Sequence, residues 1–257
     1  MAGDMTALLA ALEAWMRPYM RSFYNEAEDI QQAIRIKEIH TGYVRGHARA
    51  LAVHLGLTGD DVTLAEIMGL LHDVGRFHQF TVYRTFNDAI SEDHATLGLK
   101  VIAGNDLLKD LAAPERALVT FAIANHNKKE IAPAPGERAL RYAKILRDAD
   151  KLDIYRVLEP FLEPSDGSGI SPDFLDKFIE GEQVDYTRIR TPDDRKLVRL
   201  MWVYDVNYSW TLRQIVAKGY VDKITACLPQ GARVAQGVRR LRDYVAAKCA
   251  EEDPSYG

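Results

Sequence analysis

Cysteine is nearly absent from this 257-residue chain: Cys227 and Cys249 are the two it has, far apart and outside any CxxC or Cys/His zinc-finger spacing. That excludes a disulfide scaffold and a thiolate metal cluster, and reads as two reduced thiols in a cytosolic protein. Long apolar runs are missing as well. The longest stretch without Asp, Glu, Lys or Arg is Ala117 to Asn127, 11 residues, against the ~20 that a membrane span needs. The apolar start, MAGDMTALLAALEAWM, carries Glu13 and has no basic residue before Arg17, so it reads as an amphipathic helix rather than a signal peptide. Basic runs are lacking too. With 33 Lys and Arg against 37 Asp and Glu, a net charge of −4 and a pI of about 6.0, a nucleic-acid polymer is disfavoured as partner, and a small anionic ligand is not. The expectation is a soluble, cytoplasmic protein with no membrane partner. Glycine-rich phosphate loops, G-x-G-x-x-G and G-x-S-x-G are all absent, which removes the usual nucleotide-cradle and serine-hydrolase readings.

What is present is helical periodicity. Strand-like alternation is confined to Phe80-Thr81-Val82-Tyr83. The spacing predicts helices at about 5–16, 22–56, 63–74, 92–104, 114–126, 137–159, 171–181, 192–217, 219–228 and 231–250. Thr63 and Glu66 form a T-x-x-E capping pattern. Ser91 precedes two acids suited to a helix start, and Pro114 fits a first turn. The segment Pro164-Ser165-Asp166-Gly167-Ser168-Gly169 is the most linker-like. Without a composition shift across it, it reads as a surface loop inside one all-helical domain spanning 1–257. Helical faces within 192–217 suit either core or a homo-oligomer interface.

Seven histidines remain as the scarce, versatile groups. In Leu70-Leu71-His72-Asp73-Val74-Gly75-Arg76, His72 falls on the face of Leu64 and Met68. By itself this reads equally as a core histidine beside a solvated acid or as a metal pair. In Leu146-Arg147-Asp148-Ala149-Asp150-Lys151-Leu152-Asp153, a core stripe of Leu146 and Ala149 includes Asp150 and Asp153. Unpaired buried carboxylates are costly, so a cation or donors must meet them. Asp148 falls with Lys144 and Lys151 and reads as a solvated ion-pair partner. His94 shares a face with Leu97, Gly98 and Val101, His126 with Leu118 and Ala122, and His40 with Ile36, Tyr43 and Val44. His47 and His54 follow His40 at i+7 and i+14, but seven residues rise ~10 Å along a helix; neither can join His40 at one centre. His78 reads as a loop residue over the site.

The ordered set His40, His72-Asp73, His94, His126 and Asp150 resembles the HD superfamily of metal-dependent phosphohydrolases. So do the words Thr85-Phe86-Asn87-Asp88, Asp93-His94, Asn125-His126-Asn127 and Asp148-Ala149-Asp150-Lys151-Leu152-Asp153. The resemblance covers about residues 35–160. It implies an all-α HD-domain bundle, here followed by a helical extension at about 171–250. His40, His72, Asp73 and Asp150 are then the core metal ligands. His94 and His126 extend them to a dinuclear pattern in which Asp73 bridges, and Asp73 and Asp150 carry the catalysis. One or two divalent ions are implied, and an imidazole and carboxylate set without thiolate suits iron, manganese, nickel, cobalt or zinc. The activity implied is hydrolysis of a small phosphorylated compound or nucleotide by a metal-activated hydroxide. Arg76, Arg84 and Lys128 are the candidates to neutralise phosphate, and Asp153 is placed to orient a ligand or Lys151. The same residue order is similar to that of the diiron oxygenases of the superfamily, and a non-catalytic metal or nucleotide sensor is the third class.

Overall fold

A computed structural model describes residues 4–256, and among them there are helices and turns but no strand. The chain groups into two compact units, Met1–Asp153 with Ser255–Gly257, and Ile154–Pro254. Among the described residues no helix is long and apolar enough to cross a membrane.

The first unit holds α1 (Met5–Arg21), α2 (Glu28–His54), α3 (Gly59–Leu71), α4 (Val74–Tyr83), α5 (His94–Gly104), α6 (Ala113–Asn125) and most of α7 (Glu137–Leu158). Its core is aliphatic: Ile34, Val44, Leu51, Leu64, Ile67, Leu71, Val119, Ile123 and Leu146 are all excluded from solvent. The α2–α3 contact is close because Gly69 has no side chain; a Cβ there would lie 2.8 Å from Arg45 Cα. The α4–α5 crossing is tighter still, with Gly75 set against Gly98.

Four local expectations are corrected. The helix expected at 63–74 is two helices, breaking at His72–Asp73, where Asp73 takes φ −104° and ψ 15°. The strand-like Phe80–Tyr83 is the last turn of α4, with Val82 and Tyr83 exposed; tertiary context overrides the local alternation. Thr63 and Glu66 do not cap a helix. The helix begins four residues earlier at Gly59, and Glu66 instead accepts from Arg49 Nη1 at 2.6 Å. At the next boundary Asp93, not Ser91, caps α5, accepting from Thr96 N at 2.8 Å. Pro114 does lie in the first turn of α6.

The second unit contains α8 (Pro172–Glu180), α9 (Pro192–Met201), α10 (Ser209–Ala217), α11 (Tyr220–Ala226) and α12 (Ala232–Ala250), and the loop 164–169 falls inside it. The single helix expected at 192–217 is interrupted after Met201 by a 3-10 turn, Trp202–Asp205. Asp253 stabilises the restart: its carboxylate accepts from Ser209 N at 2.7 Å and Trp210 N at 2.8 Å, capping the free amides of α10.

Candidate metal centre

Five helices and one break bring six side chains together. His40 comes from the middle of α2, His72 follows the last residue of α3, and Asp73 sits in the break. His94 opens α5, His126 follows the end of α6, and Asp150 lies on α7. All are buried except Asp150, whose side chain keeps 16% of its exposure. The Asp73 carboxylate lies at the middle. Its Oδ2 is 3.5 Å from both His40 Nε2 and His72 Nε2. Its Oδ1 is 3.4 Å from His94 Nε2 and 3.7 Å from His126 Nε2. Asp150 Oδ1 closes the first half, 3.0 Å from His40 Nε2 and 3.7 Å from His72 Nε2.

The outer ring nitrogens determine what the inner ones are. His72 Nδ1 lies 2.8 Å from Gly69 O, and His126 Nδ1 2.7 Å from Ile123 O. A carbonyl only accepts, so both Nδ1 atoms carry the proton. His40 Nδ1 faces Asp153 Oδ2 at 2.7 Å, and His94 Nδ1 faces Asp88 Oδ2 at 2.7 Å, with the same consequence. In the neutral rings four Nε2 lone pairs therefore point inward. They face two carboxylates and one another, with His94 and His126 Nε2 only 2.9 Å apart. Lone pairs and anions at such distances repel, and a cation among them resolves the conflict. The donor set thus fits divalent ions, with His40, His72 and Asp150 forming one convergent trio and His72, Asp73 and His126 another.

Burial reinforces the neutral state. It pushes His72 down to about 4 despite the nearby Asp73 and Asp150, and His94 down to about 4 despite Asp88 and Asp73. For His40, burial and Lys37 push down, but the hydrogen bonds to Asp150 and Asp153 win and raise it. Burial also opposes ionisation of Asp73, yet Lys37, His72, His126 and Arg76 hold it well below the usual carboxylate range. Between about pH 6.5 and 4 the unfolded chain protonates His72 and His94 while the folded chain does not. Acid therefore favours unfolding, by roughly 3 kcal/mol for each of these two groups, with His40 acting in the opposite sense. Metal-chelated protein is expected to melt at steadily lower temperature from pH 6.5 to 4.5 in differential scanning fluorimetry. A flat profile would contradict the neutral, buried assignment of these rings.

Arg76 belongs to the cluster. Its Nε is 3.5 Å from Asp73 Oδ1, and its Nη1 donates to Phe86 O at 2.6 Å and Gln79 Oε1 at 2.7 Å. Arg84 and Lys128 are engaged elsewhere. Arg84 ends α4 in the left-handed region at φ 56° and pairs with Asp29 at 2.8 Å on the surface. Lys128 donates to Asp93 Oδ2 at 2.6 Å. Asp153 orients His40, as its helical face suggested, but Asp148 is not solvated; it is fully buried. His78 is on α4 rather than in a loop, and its side chain is exposed. His47 is half-buried and His54 exposed, about two and four turns away along α2.

Two contributors carry no role in the sequence reading. Lys37, one turn before His40, places Nζ 2.6 Å from Asp73 Oδ2. Asp88 holds His94 through both Nδ1 and backbone N, and itself accepts from Gln79, Arg76 and Asn127. The i−3 spacing from His40 was the available signal for Lys37, and the Thr85-Phe86-Asn87-Asp88 word that for Asp88. Asp88→Ala is expected to weaken metal uptake at the His94 half about 10–100-fold, as loss of a ring-orienting partner does. Titration calorimetry with Mn(II) would show one affinity falling and the other holding.

A family model described as HD domain matches residues 38–155, from His40 on α2 through Asp150 on α7. No curated protein and no solved structure matches the chain. Residues 38–155, a little under half of the chain, are an HD domain by this match.

Proposed function

We propose that the chain is a metal-dependent phosphohydrolase acting on a small phosphorylated compound, a nucleotide among the candidates. The observation that supports this reading is the inward convergence of four imidazole Nε2 atoms on two carboxylates, beside the cations Arg76 and Lys37. His40, His72, Asp73 and Asp150 would hold one divalent ion, and Asp73, His94 and His126 a second. Such ions, when bound, acidify water and draw charge from phosphate oxygens. The chain's own residues do the rest. Asp73 supplies one oxygen to each half, while Asp153 and Asp88 keep the protons on Nδ1 and so keep Nε2 free to ligate. Arg76, braced by Phe86 O and Gln79, is fixed beside the centre to neutralise a phosphate oxygen. Burial strengthens each of these interactions by lowering the local dielectric.

Elemental analysis of protein purified without added metal, followed by phosphate release from a panel of phosphomonoesters and nucleotides, tests this reading. A metal-to-chain ratio near two with phosphate release supports it. A ratio near one would make His94 and His126 substrate contacts. Oxygen uptake by iron-loaded protein without phosphate release would replace it with the oxygenase chemistry.

A further inference from the structure

Lys37 stands where neither the ligand set nor the protein core needs a lysine. Its ammonium lies 2.6 Å from Asp73 Oδ2, the oxygen that faces His40 and His72. Its side chain keeps 15% exposure, so it opens towards solvent at one end. Asp73 is its carboxylate partner among the described residues. The ammonium also sits 5.3 Å from the centre of the Phe86 ring, while the Arg76 guanidinium lies 5.6 Å from that same centre. Two cations therefore lie close to one aromatic ring beside the cluster.

An ammonium and a divalent ion compete for one carboxylate oxygen. Each is attracted to Asp73, they repel one another, and at a separation of a few ångströms in a buried site that repulsion is strong. The divalent ion has the larger charge and the imidazole ligands besides. Lys37 has four methylenes of flexible stem and a partly open end, so it can leave without unfolding anything. Arg76 has less freedom, because Phe86 O, Gln79 and Asp88 hold it. The freed ammonium stays tethered one helical turn from His40, near the Phe86 ring that Arg76 also approaches.

We propose that Lys37 is a metal-gated anion contact: it neutralises Asp73 before metal enters, and metal binding releases it to grip the substrate's phosphate together with Arg76. This rests on the phosphohydrolase reading above. The anion site is complete only once the metal is in place, so metal and phosphate binding reinforce each other through this side chain.

The experiment uses the full chain, chelated and then titrated with Mn(II), and inorganic phosphate as the anion. In Lys37→Met, Mn(II) affinity is expected to rise several-fold, because a competing cation is gone. Phosphate affinity of the Mn(II)-loaded variant is expected to fall about tenfold or more, the loss typical of one charged hydrogen bond. Lys37→Arg should recover much of the phosphate affinity. A second readout needs no variant: acetylation of Lys37 in the wild type, followed by mass spectrometry, should increase on adding Mn(II) and decrease again with phosphate. Weaker Mn(II) uptake by Lys37→Met would instead make the lysine an orienting partner of Asp73 and overturn the proposal. Unchanged phosphate affinity, or labelling indifferent to Mn(II), would overturn it equally. A wild-type chain that takes up no Mn(II), iron, nickel, cobalt or zinc would remove the metal centre itself, an outcome distinct from these.

Discussion

Replacing Asp73 with alanine is expected to abolish phosphate release, a loss of about 10³-fold or more, and to empty both halves of the metal centre at once. The reason is position. Among the described residues Asp73 is the one side chain whose two oxygens face different pairs of imidazoles, His40 and His72 on Oδ2 and His94 and His126 on Oδ1. Without it, the inward lone pairs have no shared anion to balance a divalent charge. Asp150→Ala should differ in kind. Asp150 contacts only His40 and His72, so its loss should lower the metal-to-chain ratio towards one rather than zero. Asp73→Asn keeps the side-chain shape, and should show the same defect with less disturbance of Lys37 and Arg76. Metal content by elemental analysis and phosphate release on the same samples decide the matter; full activity in Asp73→Ala would remove Asp73 from the centre.

Five of the six convergent residues were readable because a helical spacing puts a polar group on an apolar face, and Asp73 because the order of all six along the chain resembles a family pattern. The same logic failed where the deciding partner is distant in sequence. Lys37 carries no role in the sequence reading, and only the fold places Asp73, 36 residues away, beside it. Asp148 shares a helical face with Lys144 and Lys151, which suggested solvent; spacing shows an angle around α7, not which neighbours cover that side. Arg84 follows the HD motif in a segment that looked like an open loop. It closes α4 in a left-handed turn, which directs it to Asp29 on α2. The break at His72–Asp73 was hidden for a related reason. Apolar periodicity runs through Val74, and no capping side chain or proline marks the stop that precedes the packing of α4 on α5.

That packing supplies the largest expected stability effect. A Cβ on Gly75 would lie 2.5 Å from Gly98 N and 2.5 Å from His94 O, both backbone atoms that no side-chain rotation can move aside. Gly75→Ala must therefore push α5 away from α4, at about 3 kcal/mol or more, the upper range for overpacking a core. The same movement carries His94, the first residue of α5, away from Asp73 Oδ1 and His126. Stability and metal uptake at that half should fall together. Gly98→Ala, across the same crossing, is the control: its Cβ would lie 3.4 Å from Gly75 N and from Val74 Cγ1, a tolerable contact. Gly98 is also interior to α5, where alanine favours the helix by ~1 kcal/mol, so this variant should be neutral or slightly stabilised. Chemical denaturation of both variants in chelator, with Mn(II) titration of each, separates the cases. A Gly75→Ala effect as small as that of Gly98→Ala would show that the α4–α5 crossing can relax, and that His94 is held by Asp88 rather than by the glycine contact.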